Sequence, residues 1–215
     1  MGRNGAGKTT LMRVFAGAMT PTHGSITVGG VNIHRDAQTR LEHRARLGWV
    51  PQGATLPRNM TAGDFMRYAA WLQRVHVRDS DTAVRDALKA SGSLELRDRR
   101  IGRMSGGERQ RIVLAASLVA NPSLILLDEP TVGLDPAQRE AYLDNIRMLG
   151  RNATVVYSTH LVDDVERIAE HVVLLDCGEV AFARTREAVA SSAASLGDAL
   201  RSAVVNTADR NLGQR

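Results

Sequence analysis

Gly2-Arg3-Asn4-Gly5-Ala6-Gly7-Lys8-Thr9, followed by Thr10, is the stretch whose reading decides the fold. Its spacing is G-x-x-x-x-G-K-T. Glycines at these positions let the backbone curl until successive N–H groups point inward at one anion. A helix starting at the end of the loop adds its positive N-terminal end to the same place. Lys8 reaches the outer phosphates of a nucleotide held there, and the Thr9 hydroxyl is placed to ligate Mg²⁺. A glycine-rich turn before an ordinary helix would account for the same letters without any ligand.

The second informative stretch is Leu124-Ile125-Leu126-Leu127-Asp128-Glu129-Pro130, an apolar run that ends in two adjacent carboxylates. Strand alternation sends neighbouring side chains in different directions, so the two acids can take different tasks. Asp128 is suited to hold Mg²⁺, as the acid at this place does in phosphate-loop NTPases, and Glu129 to polarise an attacking water. A capping pair entering a loop is the alternative.

Around these two sites the pattern is α/β. The spacing predicts a helix over Gly7–Gly17, a strand and turn at Ile26–Gly30, a basic helix, and a strand at Leu47–Val50 stopped by Pro51. Thr61 to Gly92 reads as helical, and Ser105-Gly106-Gly107 precedes a long helix from Glu108 to Ala120. Apolar strands follow at Leu124–Leu127, Thr154–Tyr157 and Val172–Leu175, with a helix over Pro136–Leu149 between the first two. Such runs without alternation fit strands buried on both faces of a parallel sheet. The tail from Arg186, rich in Ala and Ser, reads as helical at first, with fraying expected beyond Asn206.

Composition narrows the function. The 215 residues suit one α/β domain with a modest insertion. The net charge of +5 comes almost entirely from arginine, since Lys8 and Lys89 are the lysines. The arginines are scattered among acids (Arg35, Arg40, Arg44 and Arg46 beside Asp36 and Glu42), which fits a solvated helix face and no nucleic-acid partner. Aromatic residues at 4% offer little for base stacking. The longest apolar stretch, Ile112 to Ala120, is about half of a bilayer span. Cys177 is the single cysteine, so neither a disulfide framework nor a multi-cysteine metal site can form within the chain.

Between the two sites lies Met104-Ser105-Gly106-Gly107-Glu108-Arg109-Gln110-Arg111. It closely resembles the signature motif of ABC (ATP-binding cassette) ATPases, with Met104 for the usual Leu and Glu108 for the usual Gln. Ser105 and two glycines before a helix make a second anion-binding nest. Further elements of the family follow the same order. Gln52, in Val50-Pro51-Gln52, resembles the glutamine loop that senses Mg²⁺ and the γ-phosphate. Asp135, in Gly133-Leu134-Asp135-Pro136, resembles the aspartate that communicates across the dimer. His160, in Ser158-Thr159-His160, resembles the switch histidine on the γ-phosphate. A lone histidine after a strand is more often structural; the ordered set makes the resemblance specific.

The resemblance implies one ABC ATPase domain over 1–215. A phosphate-loop NTPase core takes 1–52 and 121–185, a helical subdomain with the signature motif 53–120, and a tail 186–215. It implies ATP and Mg²⁺ as cofactors, with Asn4, Gly5, Ala6, Gly7, Lys8, Thr9 and Thr10 around the phosphates and Thr9, Gln52 and Asp128 at the metal. Glu129, His160 and Gln52 would be catalytic. Ser105, Gly106, Gly107 and Asp135 would close on ATP bound to the other copy of a head-to-tail homodimer. The partner would be an integral membrane permease on a separate chain, placing the protein on the cytoplasmic face of the membrane. Thr61–Trp71 and Val132–Pro136 look most like bacterial exporters of drugs, antibiotics or lipids. Family members carry strands ahead of the phosphate loop. Their absence here raises the expectation that Met1 is an internal methionine or the chain a fragment, and leaves the adenine-stacking residue unassigned. An ABC ATPase without a transporter, or an inactive remnant, are the alternatives.

Overall fold

The computed structural model describes residues 1–191 and 197–198. In chain order the elements are α1 (Lys8–Phe15), the hairpin β1 (Thr27–Val28) and β2 (Val31–Asn32), α2 (Ala37–Ala45) and β3 (Leu47–Val50). Then come α3 (Ala62–Leu72), α4 (Val77–Ala90), two 3₁₀ turns at Leu94–Leu96 and Ile101–Arg103, and α5 (Gly106–Leu118). The chain continues through β4 (Leu124–Asp128), α6 (Pro136–Leu149), β5 (Thr154–Ser158), α7 (Val162–Ile168), β6 (His171–Asp176), β7 (Glu179–Thr185) and α8 (Arg186–Ala190).

β3, β4 and β5 form a parallel sheet in that order, with Val50 beside Leu127, and Leu127 and Asp128 beside Tyr157 and Ser158. β4 is apolar throughout because both of its faces are covered. Leu126 packs with Met12, Ala16 and Leu47 under α1, whereas Ile125 and Leu127 face the opposite cluster built from α5 and α6. That second cluster runs without a break into the helical region. Met66 of α3, Val84 and Leu88 of α4 and Ile112 and Leu114 of α5 join Val50, Ile125 and Leu127 in one apolar core. On α4 the inward residues Val84, Ala87 and Leu88 follow the helical repeat.

Helix starts follow local chemistry. Thr61 accepts from the Asp64 amide, and Asp135 accepts from the Gln138 amide with Pro136 at the first helical position. Ser105 and Glu108 form a reciprocal capping box at the start of α5.

Two features depart from the sequence expectation. β6 was expected as a third strand of the parallel sheet; instead it pairs antiparallel with β7. The turn between them, Cys177-Gly178, has both residues in the left-handed region (φ 47° and 86°), the geometry that closes a two-residue hairpin. Its exposure alternates, with Val172 and Leu174 buried and His171 and Val173 outward. The second departure is at the start of the chain. Gly2 donates its amide to Thr159 O (3.3 Å), and Leu175 donates to Met1 O (2.9 Å). Met1 and Gly2 therefore lie between the ends of β5 and β6, with Gly2 bridging Leu175 in parallel. α7 was not foreseen as a separate helix, whereas α8 opens the tail at Arg186, where the sequence predicts a helix. The fraying expected beyond Asn206 falls outside the described residues.

Gly48 of β3 sets how closely α5 approaches the sheet. A Cβ there would sit 2.7 Å from the Ser117 carbonyl oxygen and 3.0 Å from Pro122. Gly48→Ala is expected to lower stability by about 1–3 kcal/mol through overpacking. A urea titration should show a lower midpoint with an unchanged slope.

Candidate functional site

The loop from Asn4 to Gly7 is a turn whose Gly5 and Gly7 take φ of 83° and 95°, conformations that a side chain would oppose. It is braced from outside, since Gly178 of the β6–β7 turn donates its amide to Ala6 O. Lys8, the first residue of α1, is 7% exposed. Its ammonium donates to Gly2 O (2.8 Å) and Arg3 O (3.0 Å) and pairs with Glu129 Oε1 at 3.1 Å. A buried ammonium requires such a cage, because removal from water is otherwise unfavourable.

Glu129 lies just past β4 with φ 47°, a left-handed conformation that costs a non-glycine residue about 1–3 kcal/mol. Ser158 opposes it, accepting the Glu129 amide on both its carbonyl and hydroxyl oxygens, each at 3.1 Å. The backbone reversal separates the two acids more sharply than strand alternation would. Asp128, 1% exposed, accepts from the Ser158 hydroxyl at 2.5 Å. Glu129 faces the loop instead, and its Oε2 lies 3.4 Å from His160 Nδ1 and 3.5 Å from the Gln52 amide nitrogen.

Lys8, Gln52, Asp128, Glu129 and His160 thus gather at one edge of the sheet. Thr9 and Thr10 follow Lys8 in the first turn of α1, Thr9 half-buried and Thr10 exposed. Ser105, Gly106 and Gly107 stand apart. Among the described residues no hydrogen bond joins them to Lys8, Glu129 or His160. Ser105 and Gly106 are exposed, and Gly107 is covered by the Gln138 side chain. Asp135 is exposed and caps α6. Glu108 accepts from the Ser105 amide and pairs with Arg99; the amide above all, opposed by desolvation and helped by Arg99, keeps its carboxyl below the ordinary value.

Sequence reading missed two participants. Ser158 stands directly beside Asp128 in the strand register, a pairing that aligning the two runs could have suggested. Asp164, fully buried on α7, touches the segments around both Glu129 and His160. No local pattern marks it.

A family model described as ABC transporter matches residues 1–132. The chain belongs to the ABC transporter family. The uncharacterized ABC transporter ATP-binding protein YxlF of Bacillus subtilis (strain 168) is 35% identical over 182 residues, covering 85% of this chain and 59% of its own. The molybdenum import ATP-binding protein ModC of Brucella abortus (strain 2308) is 40% identical over 185 residues, 83% of this chain and 50% of its own. This chain therefore spans half to three-fifths of the length of these relatives. Among solved structures, the dimeric post-hydrolysis state of the ATP-binding cassette MJ0796, bound to ADP and Pi, superposes with a TM-score of 0.75 at 25% identity, covering 86% of this chain and 83% of that one. The ABC ATPase fold expected from the sequence is the fold observed.

The capping box gives a direct test of how α5 is held. Glu108→Ala should cost about 1 kcal/mol of stability, since it removes one half of the reciprocal cap. A carboxyl held below its ordinary value contributes fully above the ordinary carboxylate range and loses its contribution as pH falls through the lowered value. Melting temperatures of the two proteins should therefore differ at neutral pH and converge in strong acid.

Proposed function

We propose that this chain binds ATP with Mg²⁺ and hydrolyses it to drive a separate membrane permease. The observation that carries the reading is the meeting of Lys8 and Glu129 at 3.1 Å, with His160 and Gln52 beside them. Elements far apart in the chain supply these groups, and neither acid caps a helix.

In this reading the amides from Asn4 to Thr10 cradle the phosphates and Lys8 turns its ammonium to the β- and γ-phosphates. The metal's donors are oxygens: the Asp128 carboxylate, the Thr9 hydroxyl and the Gln52 amide. Such a set fits Mg²⁺, which takes its remaining ligands from phosphate and water. Mg²⁺ held by these residues would offset phosphate charge during transfer.

Glu129 takes a proton from the attacking water as its oxygen bonds to the γ-phosphorus. The bond to the bridging oxygen breaks and ADP departs with that electron pair. Lys8 and His160 offset the charge on the transferring group. Ser105, Gly106, Gly107 and Asp135 act on the ATP of a second copy, packed head to tail; their separation from Lys8 within one chain supports this. The dimeric MJ0796 cassette supports it as well.

In this reading the permease is a separate polypeptide; no helix among the described residues is long and apolar enough to cross a membrane. The site of action is then the cytoplasmic face of that membrane. Tyr68 and Trp71 of α3, stacked with ring centres 6.1 Å apart and 49% and 69% exposed, support docking of a partner on the helical region.

Glu129→Gln should retain ATP binding, abolish turnover and trap a dimer visible by size-exclusion chromatography with ATP. Lys8→Ala should weaken ATP binding by about tenfold or more, as a charge-assisted phosphate contact is lost. Unchanged affinity by isothermal titration calorimetry would overturn the phosphate-loop assignment.

A further inference from the structure

Asp164, the third residue of α7, is 0% exposed, and each of its carboxylate oxygens is engaged. Oδ1 accepts from the Arg139 Nε at 2.6 Å. Oδ2 accepts from the Tyr157 hydroxyl at 2.5 Å, the Thr131 hydroxyl at 2.8 Å and the Thr159 hydroxyl at 3.3 Å. Burial raises the Tyr157 hydroxyl pKa well above its ordinary value, and its bond to Asp164 raises it further, so Tyr157 stays a donor.

The four donors come from the segments that frame the proposed reaction. Thr131 lies two residues after Glu129. Arg139 is in the first turns of α6, whose cap is Asp135. Tyr157 is in β5 beside Leu127, and Thr159 directly precedes His160. Thr159 also accepts the Leu161 amide at 2.9 Å, which fixes the turn that carries the histidine. Two of the donors, Thr131 and Thr159, are themselves buried, at 3% and 2% exposed.

We propose that Asp164 is a positioning residue: its carboxylate locks the segment after Glu129 to the turn before His160, so that these two groups act as one unit. The inference rests on the hydrolytic reading of Glu129 and His160. Asp164 is too deeply buried to meet nucleotide and does not touch Lys8, so its effect passes through its neighbours. A carboxylate suits this task better than a neutral group, because one acceptor-only side chain serves four donors at once.

The test measures ATP affinity, and ATPase kcat per nucleotide-binding site, for Asp164→Asn and Thr131→Val. Thr131→Val keeps the shape and the Arg139 pair while cutting the link toward Glu129. Each is expected to lower kcat about tenfold to a hundredfold, as for a misplaced reacting group, with ATP affinity within about threefold. The double variant should be no slower than Asp164→Asn alone, because both interrupt one connection. Asp164→Glu, which retains the charge, should recover part of the rate. A role in stability alone would lower the number of competent sites and leave kcat per site unchanged, and that result would overturn the proposal. Should Asp164→Asn not fold, unchanged kcat per site in Thr131→Val is the overturning result. If the unaltered protein and Glu129→Gln hydrolyse ATP equally, the hydrolytic reading fails instead.

Discussion

Three parallel strands end at the same edge of one sheet, and the candidate site depends on that constraint. β3 runs out at Val50, two residues before Gln52. β4 runs out at Asp128, beside Glu129, and β5 at Ser158, two residues before His160. In a parallel sheet the carboxyl ends of the strands coincide, so loops distant in sequence are delivered together. α1 packs across β4 through Met12, Ala16 and Leu126, and this places Lys8 at the same edge. An antiparallel β4 would have put its acids at the far end of the sheet from Lys8.

Within that frame the strained residue is Glu129. Its left-handed backbone is unfavourable by itself, and the structure compensates locally. Ser158 accepts its amide twice while giving its own hydroxyl to Asp128, so one side chain orders both acids. The strain turns the Glu129 carboxylate toward Lys8 and His160 rather than back over the sheet. Asp164 braces the same region from behind, where no solvent reaches. Polar groups buried in this way keep one arrangement, since each lost partner leaves an unmet donor or acceptor.

Much of this was legible in the residue order because the informative features are local. The glycine spacing before Lys8, the apolar run into Asp128 and Glu129, and Pro136 behind Asp135 each fix a backbone conformation within a few residues. The α6 limits agree residue for residue for that reason, with a capping Asp and a Pro at one end and Gly150 at the other. What escaped notice depends on pairing across distance. β6 looked like its parallel neighbours because Val172–Leu175 is apolar, yet it is claimed by a hairpin partner, Glu179–Thr185, that is largely exposed and so does not read as a strand of a buried parallel sheet. Asp164 gives no sign in the sequence because its donors are spread from Thr131 to Thr159 and converge only when α7 folds against β5.

The cage around Lys8 also bears on which anions the loop can admit. Its ammonium already holds two carbonyl oxygens and a carboxylate in a setting nearly closed to water. An incoming anion must take the place of Glu129 rather than fill an idle position, and that substitution discriminates. In the proposed reading, a chain of phosphates engaging several loop amides at once is better suited to that exchange than an anion held at a single point.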